Sequence, residues 1–461
     1  MSGGVLKLWF RSALLPGGWA RDVRLTSREG LIRDVEPDVE PDDDDECHAI
    51  GIPGLPNLHS HAFQRAIAGL TERRGPAEDS FWTWREIMYR FVERIDPDQL
   101  EAITALAFAE MLEAGFTRVG EFHYLHLDKS GVPFADPGEL AGRIAAAAAA
   151  TGIALTLLPV FYAHGGFGGA DPGPRQRRFV TDLGRFARIV ESSRAAAGSL
   201  PDAAVGVAPH SLRAVTSEEL PGVVALASGG PIHIHIAEQT REVEECVAWC
   251  GQRPIERLLE ATEVDARWCL VHATHATTDE LERIARAGAV VGLCPMTEAS
   301  LGDGVFPALE YLGRNGRFGI GTDSNVLLDA AAELRILEYS QRLTRRARNV
   351  LAAESGHSTG RSLLDAALAG GAQALGGAAG ARGPVGLTLD APLDLVSLDA
   401  EHPALIERHE DEILDSWIFA GGRPVIDCVW RAGEKVVSAG RHRERDAIVA
   451  RYRRAMKVLL A

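Results

Sequence analysis

Basic charge is scarce in this chain, which carries 48 lysine and arginine residues against 64 aspartate and glutamate residues, for a formal charge of −16. Nucleic acids and anionic membrane surfaces attract basic proteins, so the composition argues against either one as the main partner. A small anionic ligand is not excluded, because a local group of arginines can bind an anion within an acidic protein. We therefore expect a small-molecule substrate, with no nucleic acid and no membrane partner.

The chain also lacks cysteines spaced as metal ligands, and it lacks long apolar runs. Of the six cysteines, Cys246 and Cys250 are four residues apart and the others are scattered, so no cysteine-rich metal site is predicted. No apolar run approaches the ~18–20 residues of a membrane span. Residues 5–10 form too short an apolar segment, with flanks too polar, for a secretory signal. Reduced thiols without a targeting segment favour a cytoplasmic protein.

Short β-rich apolar runs recur through the centre of the chain, separated by longer helical stretches. Apolar residues make up 46% of the 461 residues, which is enough for one large α/β barrel and a smaller unit. The predicted strands lie near residues 52–59, 117–122, 153–161, 203–208, 232–237, 268–272, 289–294 and 318–322. Eight strand–helix repeats are the number that closes a parallel barrel.

Both flanks of the chain are β-rich, and residues 443–461 follow a helical pattern. Flanks that meet in space would form one small sandwich. We therefore predict an α/β fold: a TIM-like (β/α)8 barrel with a small β-sandwich domain built from both chain ends. The predicted division is residues 1–52 for the first part of the sandwich, 53–383 for the barrel, and 384–461 for the rest of the sandwich and the terminal helix.

Metal-binding and proton-handling side chains fall at the ends of four predicted strands. His59 and His61 are two residues apart on the first strand, so both imidazoles project to one side. His235 ends the fifth strand, His272 the sixth and Asp323 the eighth. In such barrels the chemistry lies at the carboxyl ends of the strands. Three of these histidines (59, 61 and 235) and the aspartate would bind a divalent metal such as Zn²⁺ with room for water.

Simpler interpretations exist for some of these residues. A lone histidine at a strand end is more often a hydrogen-bonded structural residue, and His233, one layer below His235, is predicted to be one. The metal interpretation gains from Glu238, three residues after His235. The fourth strand ends in residues 208–210 (APH), without a lysine that could be carboxylated to bridge two ions. The expected cofactor is one divalent metal ion per chain, and Zn²⁺ is the expected metal.

These features carry a family resemblance over nearly the whole chain. The histidine pair, the two later histidines and the aspartate on an eight-stranded barrel resemble the mononuclear deaminase branch of the amidohydrolase superfamily. Longer segments are similar to the formimidoylglutamate deiminase family within that branch: residues 59–66 (HSHAFQRA), 81–86 (FWTWRE), 121–124 (EFHY), 208–213 (APHSLR) and 233–239 (HIHIAEQ). Residues 294–304 match the family pattern only approximately, and no role is assigned to them.

The resemblance implies a homodimeric hydrolase of histidine degradation that converts N-formimino-L-glutamate to N-formyl-L-glutamate and ammonia. A single metal ion would lower the pKa of its water from ~15.7 towards 7, and the hydroxide would attack the formimino carbon. Glu238 would take the proton from water and deliver it to the leaving nitrogen. His272 would hydrogen-bond the hydroxide or the developing charge, and Asp323 would share in proton transfer while remaining a ligand.

Substrate contacts follow from charge matching and the resemblance together. The substrate has two carboxylates, which guanidinium groups bind in a bidentate manner. Arg85 and Arg213 are the candidates, with Gln64, Tyr124 and His210 as polar contacts that orient the substrate. Without the resemblance, Arg85 is more simply a surface helix arginine.

Other functions remain open at this point. The nearest is another mononuclear deaminase acting on an aminated heterocycle, which would require an aromatic or apolar slot in place of the arginines. A non-catalytic scaffold and a metal transport or storage protein are more remote, because neither requires Glu238. Residues 165–178, rich in glycine and proline and then in arginine, are predicted to form either a lid over the barrel mouth or a solvated loop.

Overall fold

The computed structural model describes residues 5–74, 79–376 and 385–461. Three groups of strands follow one another along the chain. Those of the first group are β1 (Val5–Leu15), β2 (Gly18–Arg28), β3 (Leu31–Glu36) and β4 (Glu46–Pro53). Those of the second group are β5 (Leu55–Ser60), β6 (Phe116–His123), β7 (Ala154–Phe161), β8 (Ala204–Val205), β9 (Ala208–Pro209), β10 (Ile232–Ile236), β11 (Trp268–His272), β12 (Val290–Leu293) and β13 (Arg317–Ile320). Those of the third group are β14 (Leu395–Leu398), β15 (Ile426–Arg431), β16 (Glu434–Ser438) and β17 (Arg441–His442).

Strands from both chain ends pair in one sheet, here called the terminal sheet, in the order β17-β16-β15-β14-β4-β1-β2-β3. β4 joins the two halves, because it pairs in parallel with β1 and antiparallel with β14. The sheet encloses an apolar cluster of its own that includes Phe10, Leu25 and Trp430. The predicted β unit built from both chain ends is confirmed, and its strands form one continuous sheet.

The second group of strands forms the predicted parallel barrel. β10 to β13 pair in order, and so do β5 to β7, while β7 pairs with both β8 and β9. Bridges from Val207 to Ile232 and from Ser60 to Asp323 join the two groups into a ring. The eight predicted strands are present, with the fourth divided into the short β8 and β9. The barrel prediction is confirmed.

The predicted first strand, residues 52–59, covers parts of two elements. Ile52 and Pro53 pair with β14 in the terminal sheet, and the barrel strand begins at Leu55. Between them Gly54 lies so close to Thr117 that a Cβ would come within 2.2 Å of its side chain. The chain therefore changes sheets at Gly54. The proposed boundary at residues 52–53 stays a prediction, and the one at residues 383–384 lies outside the described residues.

Helices cover the barrel and link it to the terminal sheet. Their bounds are α1 (Phe81–Val92), α2 (Pro97–Glu113), α3 (Glu139–Thr151), α4 (Leu183–Ala197), α5 (Leu220–Ala225), α6 (Thr240–Cys250), α7 (Pro254–Ala261), α8 (Thr278–Ala287), α9 (Pro295–Leu301), α10 (Ala308–Leu312), α11 (Ala330–Arg345), α12 (Thr359–Leu375), α13 (Asp411–Ser416) and α14 (Arg445–Leu459). Short 3₁₀ turns occupy Ala62–Ile67, Pro174–Gln176 and Arg423–Val425, and a π turn occupies Trp417–Gly421.

The predicted C-terminal helix is α14, and it is tied to the nearly fully buried α2. Arg445 of α14 donates to Glu110 and Glu113 of α2, at 3.0 Å in each case. α2 begins at a capping box, in which Asp96 accepts from the backbone N–H of Gln99 and the Gln99 side chain accepts in return. None of the helices in the described parts of the chain combines the length and apolar character that crossing a membrane requires.

Candidate active site

The structure brings His59, His61, His235 and Asp323 together at the carboxyl ends of the first, fifth and eighth barrel strands. We call these four residues the donor cluster. Nε2 of His235 lies 3.1 Å from Nε2 of His59 and 3.3 Å from Nε2 of His61. Oδ1 of Asp323 lies 3.2 Å from Nε2 of His61 and 3.5 Å from Nε2 of His59. All four side chains are buried, so three nitrogens and one carboxylate oxygen face one point shielded from solvent.

Hydrogen bonds on the far side of two of these rings set the direction of their lone pairs. Nδ1 of His61 donates to the carbonyl of Phe122 at 3.0 Å, and Nδ1 of His235 donates to the carbonyl of His210 at 3.1 Å. When Nδ1 carries the proton of the neutral ring, Nε2 has a lone pair, and in both residues that lone pair is directed into the cluster. Such a convergence of lone pairs and a carboxylate fits a bound divalent cation.

Burial keeps the imidazoles of the donor cluster in the neutral form that metals bind. It lowers the pKa of His59 to about 3, and it lowers the pKa values of His61 and His235 as well. Burial alone would raise the pKa of Asp323, but the hydrogen bond with His59 and the neighbouring imidazoles hold it below its usual value. The cluster therefore presents neutral nitrogens and an ionised oxygen.

A buried polar network fixes the backbone that carries Asp323. Asp323 has a φ of 43°, and such left-handed backbone is uncommon for a residue other than glycine. The amide of Asn325 donates to the carbonyl of Asp323 at 3.1 Å and to Ser60 Oγ at 3.1 Å. Thr322 donates to Asn325 at 2.6 Å and accepts from Asn57 at 2.7 Å. The first and last strands are therefore held together where their ligand-bearing ends meet.

Glu238 and His272 border the donor cluster on one side. Nε2 of His272 lies 3.9 Å from Oε1 of Glu238 and 3.8 Å from Oδ2 of Asp323. Burial raises the pKa of Glu238 to about 7, which suits a group that must both accept and release a proton at neutral pH. Burial would lower the pKa of His272, but Glu238, Glu298 and Asp323 together raise it to about 10. These carboxylates therefore favour the protonated form of His272.

A cavity connects the donor cluster to two arginines. Arg85 lies on α1 with its Cζ 4.5 Å from the centre of the Trp82 ring, and Arg213 approaches the same ring at 5.7 Å. Both line the cavity, and the Nε atoms of both are buried without a hydrogen-bond partner among the described residues. Besides the predicted residues, its wall includes Phe81, Trp84, Met88, Tyr89, Tyr162 and Phe179.

The other predicted substrate contacts line the same cavity. The amide nitrogen of Gln64 donates to the hydroxyl of Tyr124 at 3.0 Å, and its Oε1 is buried without a partner in the described residues. Burial holds the pKa of His210 well below its usual value, and the charge of Arg213 lowers it further. A neutral His210 can donate or accept. His233 lies outside the cavity and binds the carbonyl of Ala374 through Nε2 at 2.8 Å.

Two buried glutamates that support the site were missed in the sequence. Oε1 of Glu298 lies 3.2 Å from Nδ1 of His272, in the segment to which no role was assigned. Glu242 accepts from the backbone N–H of Glu238 at 3.0 Å, and its other oxygen lies 4.0 Å from Nε of Arg213. The position of Glu242, four residues after Glu238 and in the first turn of α6, was the available signal. No comparable pattern marked Glu298, whose partner is 26 residues away.

Arginines at the end of the 165–178 segment attach it to α1. Arg178 is buried and donates to the backbone carbonyls of Leu127, Val92 and Ile95 at 2.5–3.0 Å. Arg177 forms an ion pair with Glu93 at 3.0 Å. The segment is therefore fastened to the helix that carries Arg85. Whether it acts as a lid stays a prediction.

Comparisons with known proteins agree with this geometry. The profile described as "Amidohydrolase family" matches residues 50–436, and that described as "Formimidoylglutamate deiminase HutF, N-terminal domain" matches residues 9–49. The chain is 50% identical over 436 residues to a formimidoylglutamate deiminase of Pseudomonas aeruginosa, covering 93% of this chain and 94% of that protein. It is 31% identical over 363 residues to a 5-methylthioadenosine/S-adenosylhomocysteine deaminase of Natronomonas pharaonis, covering 76% and 74%. The crystal structure of an amidohydrolase from Brucella melitensis superposes with a TM-score of 0.95 at 53% identity, covering 99% of this chain and 100% of that one.

A matched pair of substitutions on β10 tests the donor cluster. His235→Gln is expected to lose bound metal and to lower hydrolytic turnover by at least ~10²-fold, since even outer partners of a metal ligand typically contribute about 10–100-fold. The same change at His233, one layer below, should preserve both, because glutamine can still donate to the carbonyl of Ala374. Elemental analysis and turnover assays measure the difference. Equal metal content in the two variants would contradict the assignment of His235 as a ligand.

Proposed function

This chain belongs to the amidohydrolase family, and from that premise we propose that it hydrolyses N-formimino-L-glutamate to N-formyl-L-glutamate and ammonia. The formimidoylglutamate deiminase relative, at 50% identity over most of both chains, supports this substrate. We also propose that the enzyme acts in histidine degradation, in the cytoplasm and as a homodimer.

The single observation that carries the substrate assignment is the pair of arginines in the cavity. Arg85 forms no ion pair with any described residue, and the nearest carboxylate to Arg213 in the described parts of the chain is that of Glu242 at 4.0 Å. Arg85 is half-buried and has no paired carboxylate among the described residues, and the buried Arg213 has only a distant one. Such cations are costly to desolvate, so an anionic ligand is the natural complement. Formiminoglutamate brings two carboxylates. Gln64, Tyr124 and His210 are proposed to orient the rest of the molecule.

The donor set of His59, His61, His235 and Asp323 is proposed to hold one divalent ion, Zn²⁺. Neutral imidazoles and a carboxylate are ligands that this ion accepts, and the buried lone pairs described above fit it. When bound, the ion would supply Lewis-acid activation of water at neutral pH.

Proton movement is proposed to run through Glu238. Water adds to the formimino carbon, and Glu238 accepts the proton that the water gives up. The same carboxyl then donates that proton to the nitrogen, and the hydroxyl of the adduct gives up its own proton to the nitrogen through Asp323. Ammonia leaves as the carbon–nitrogen bond breaks and the carbonyl forms. His272, held protonated by its carboxylate neighbours, would donate a hydrogen bond to the oxygen that develops negative charge. Asp323 would share in proton transfer through Oδ2, which faces His272 at 3.8 Å.

Replacing Glu238 by glutamine tests the proton path. Glu238→Gln should keep its metal and lower kcat by at least ~10²-fold, the usual scale of lost acid–base catalysis. The wild-type kcat/KM should fall towards acid pH, because only the ionised form of Glu238 accepts a proton and burial raises the pKa of this carboxyl. Near-normal turnover of the variant would remove Glu238 from the mechanism.

The substrate assignment is tested on three arginines near one tryptophan. Arg85→Gln and Arg213→Gln should each lower kcat/KM for formiminoglutamate by ~30-fold or more, since an unpaired buried charge typically costs ~2–5 kcal/mol. Arg241 also stacks on Trp82, at 4.4 Å, but it is exposed and already paired with Glu245. Arg241→Gln should therefore stay within about twofold of wild type in the same ammonia-release assay.

A neutral formamidine supplies the complementary substrate control. Without carboxylates it should be a poor substrate for the wild type and should respond little to either arginine substitution. Efficient wild-type turnover of that compound, or of an aminated heterocycle, would overturn the formiminoglutamate assignment and leave the family assignment in place.

A further inference from the structure

A second group of metal-binding side chains lies in the terminal sheet, outside the cavity. It consists of Glu46 and His48 on β4 and Asp427 and Cys428 on β15, here called the sheet cluster. The ligand atoms of His48, Asp427 and Cys428 all lie within 4.8 Å of one another. None of these residues takes part in the proposed reaction, so the cluster requires an explanation of its own.

The hydrogen bonding of His48 leaves one of its nitrogens facing a carboxylate. Nε2 of His48 lies 2.8 Å from Oε1 of Glu46, where the imidazole N–H donates to the carboxylate. In that tautomer Nδ1 carries a lone pair, and it lies 3.6 Å from Oδ2 of Asp427. A carboxylate that orients a histidine from its far nitrogen is the usual support of a histidine ligand to a metal.

Asp427 lies at coordination-shell distances from both of its neighbours, and all three ligand atoms lie within 4.8 Å of one another. Cys428 Sγ lies 3.4 Å from Asp427 Oδ2, which in turn lies 3.6 Å from His48 Nδ1. Metal bonds of ~2.0 Å to nitrogen or oxygen and ~2.3 Å to sulfur, at tetrahedral angles, place neighbouring ligand atoms about 3.3–3.6 Å apart. The pairing of β14 with β15 shifts register at this point, and such a bulge lets consecutive residues reach one site.

The carboxylate of Asp427 has no lysine or arginine partner among the described residues, and its Oδ2 accepts a hydrogen bond from Ser397 Oγ at 3.3 Å. The ammonium of Lys435 pairs with Glu46. His48 is held between aromatic rings, with centroids 5.6 Å from Phe10 and 4.9 Å from Trp430. Cys428 is buried, whereas the Asp427 side chain is 36% exposed, so an ion could enter from solvent and keep an open position.

We propose that His48, Asp427 and Cys428 form a second site for a thiophilic divalent cation such as Zn²⁺, with Glu46 orienting the histidine. The cation would displace the thiol proton as it binds. It would link β4 to β15 and so tie the two chain ends together across the whole barrel, and closing a long loop in this way favours the folded state. A second ion departs from the expectation of one ion per chain that was drawn from the sequence, and this proposal does not depend on the proposed reaction.

Cobalt is the probe, because a thiolate bound to Co²⁺ absorbs in the near ultraviolet through charge transfer. Full-length protein would be produced with Co²⁺ in place of zinc, as wild type, Cys428→Ser and Cys47→Ser. Cys47 is the matched control, since it is an exposed thiol next to His48 in sequence. We expect Cys428→Ser to lose the thiolate band and about one cobalt ion per chain, with kcat/KM unchanged. Cys47→Ser should match the wild type.

A second variant keeps the test decisive if Cys428→Ser does not fold. His48→Gln should lose the same band and the same ion while it retains turnover, and added Co²⁺ should raise the Tm of wild type more than that of this variant. A band that survives in a folded Cys428→Ser or His48→Gln protein would overturn the proposal. So would a band that disappears only in Cys294→Ser, since Cys294 lies beside His272 and Asp323.

Discussion

Three imidazoles and a carboxylate are buried together at the carboxyl ends of the barrel strands. The surrounding fold offsets the cost of removing these polar groups from water by giving them hydrogen-bond partners. Backbone carbonyls accept from the far nitrogens of His61 and His235, so the remaining lone pairs converge on one point. The side chains of Asn57, Thr322 and Asn325 hold the backbone around them. An unpaired charge buried in this way costs several kcal/mol, so a cation at the point of convergence is part of the physical solution.

Charge is distributed along the cavity in a way that would orient a substrate. Arg85 and Arg213 line the cavity beside the ring of Trp82, and Glu238 and Asp323 line it at the donor cluster. An amidine with carboxylates on its far side has the opposite pattern, because its nitrogen end is basic and the other end is anionic. The same arrangement explains how an acidic protein can accept an anion, since the net charge of −16 is a property of the whole chain and not of the cavity.

Local patterns in the chain were sufficient to predict the barrel and the donor cluster, whereas the substrate contacts also required the family resemblance. Period-two spacing placed His59 and His61 on one side of a strand, and apolar runs placed the strand ends within a few residues. Glu298 could not be found in this way, because its contact with His272 depends on how α9 packs after β12. The change of sheets at Gly54 was missed for a similar reason, since it depends on the close approach of Thr117.

The order of strands and helices, the composition of the core and the types of side chain at the strand ends follow from local periodicity, which acts over a few residues. Distances between far-separated residues do not, because closing a barrel and a sheet brings together atoms hundreds of positions apart. The tertiary structure therefore determines these contacts. It places His235 Nε2 3.1 Å from His59 Nε2 and both cavity arginines beside the Trp82 ring, and it brings His48 close to Asp427 in the terminal sheet. Burial at those meeting points also set the pKa values of Glu238 and His272, since desolvation and neighbouring charges exist only in the packed molecule.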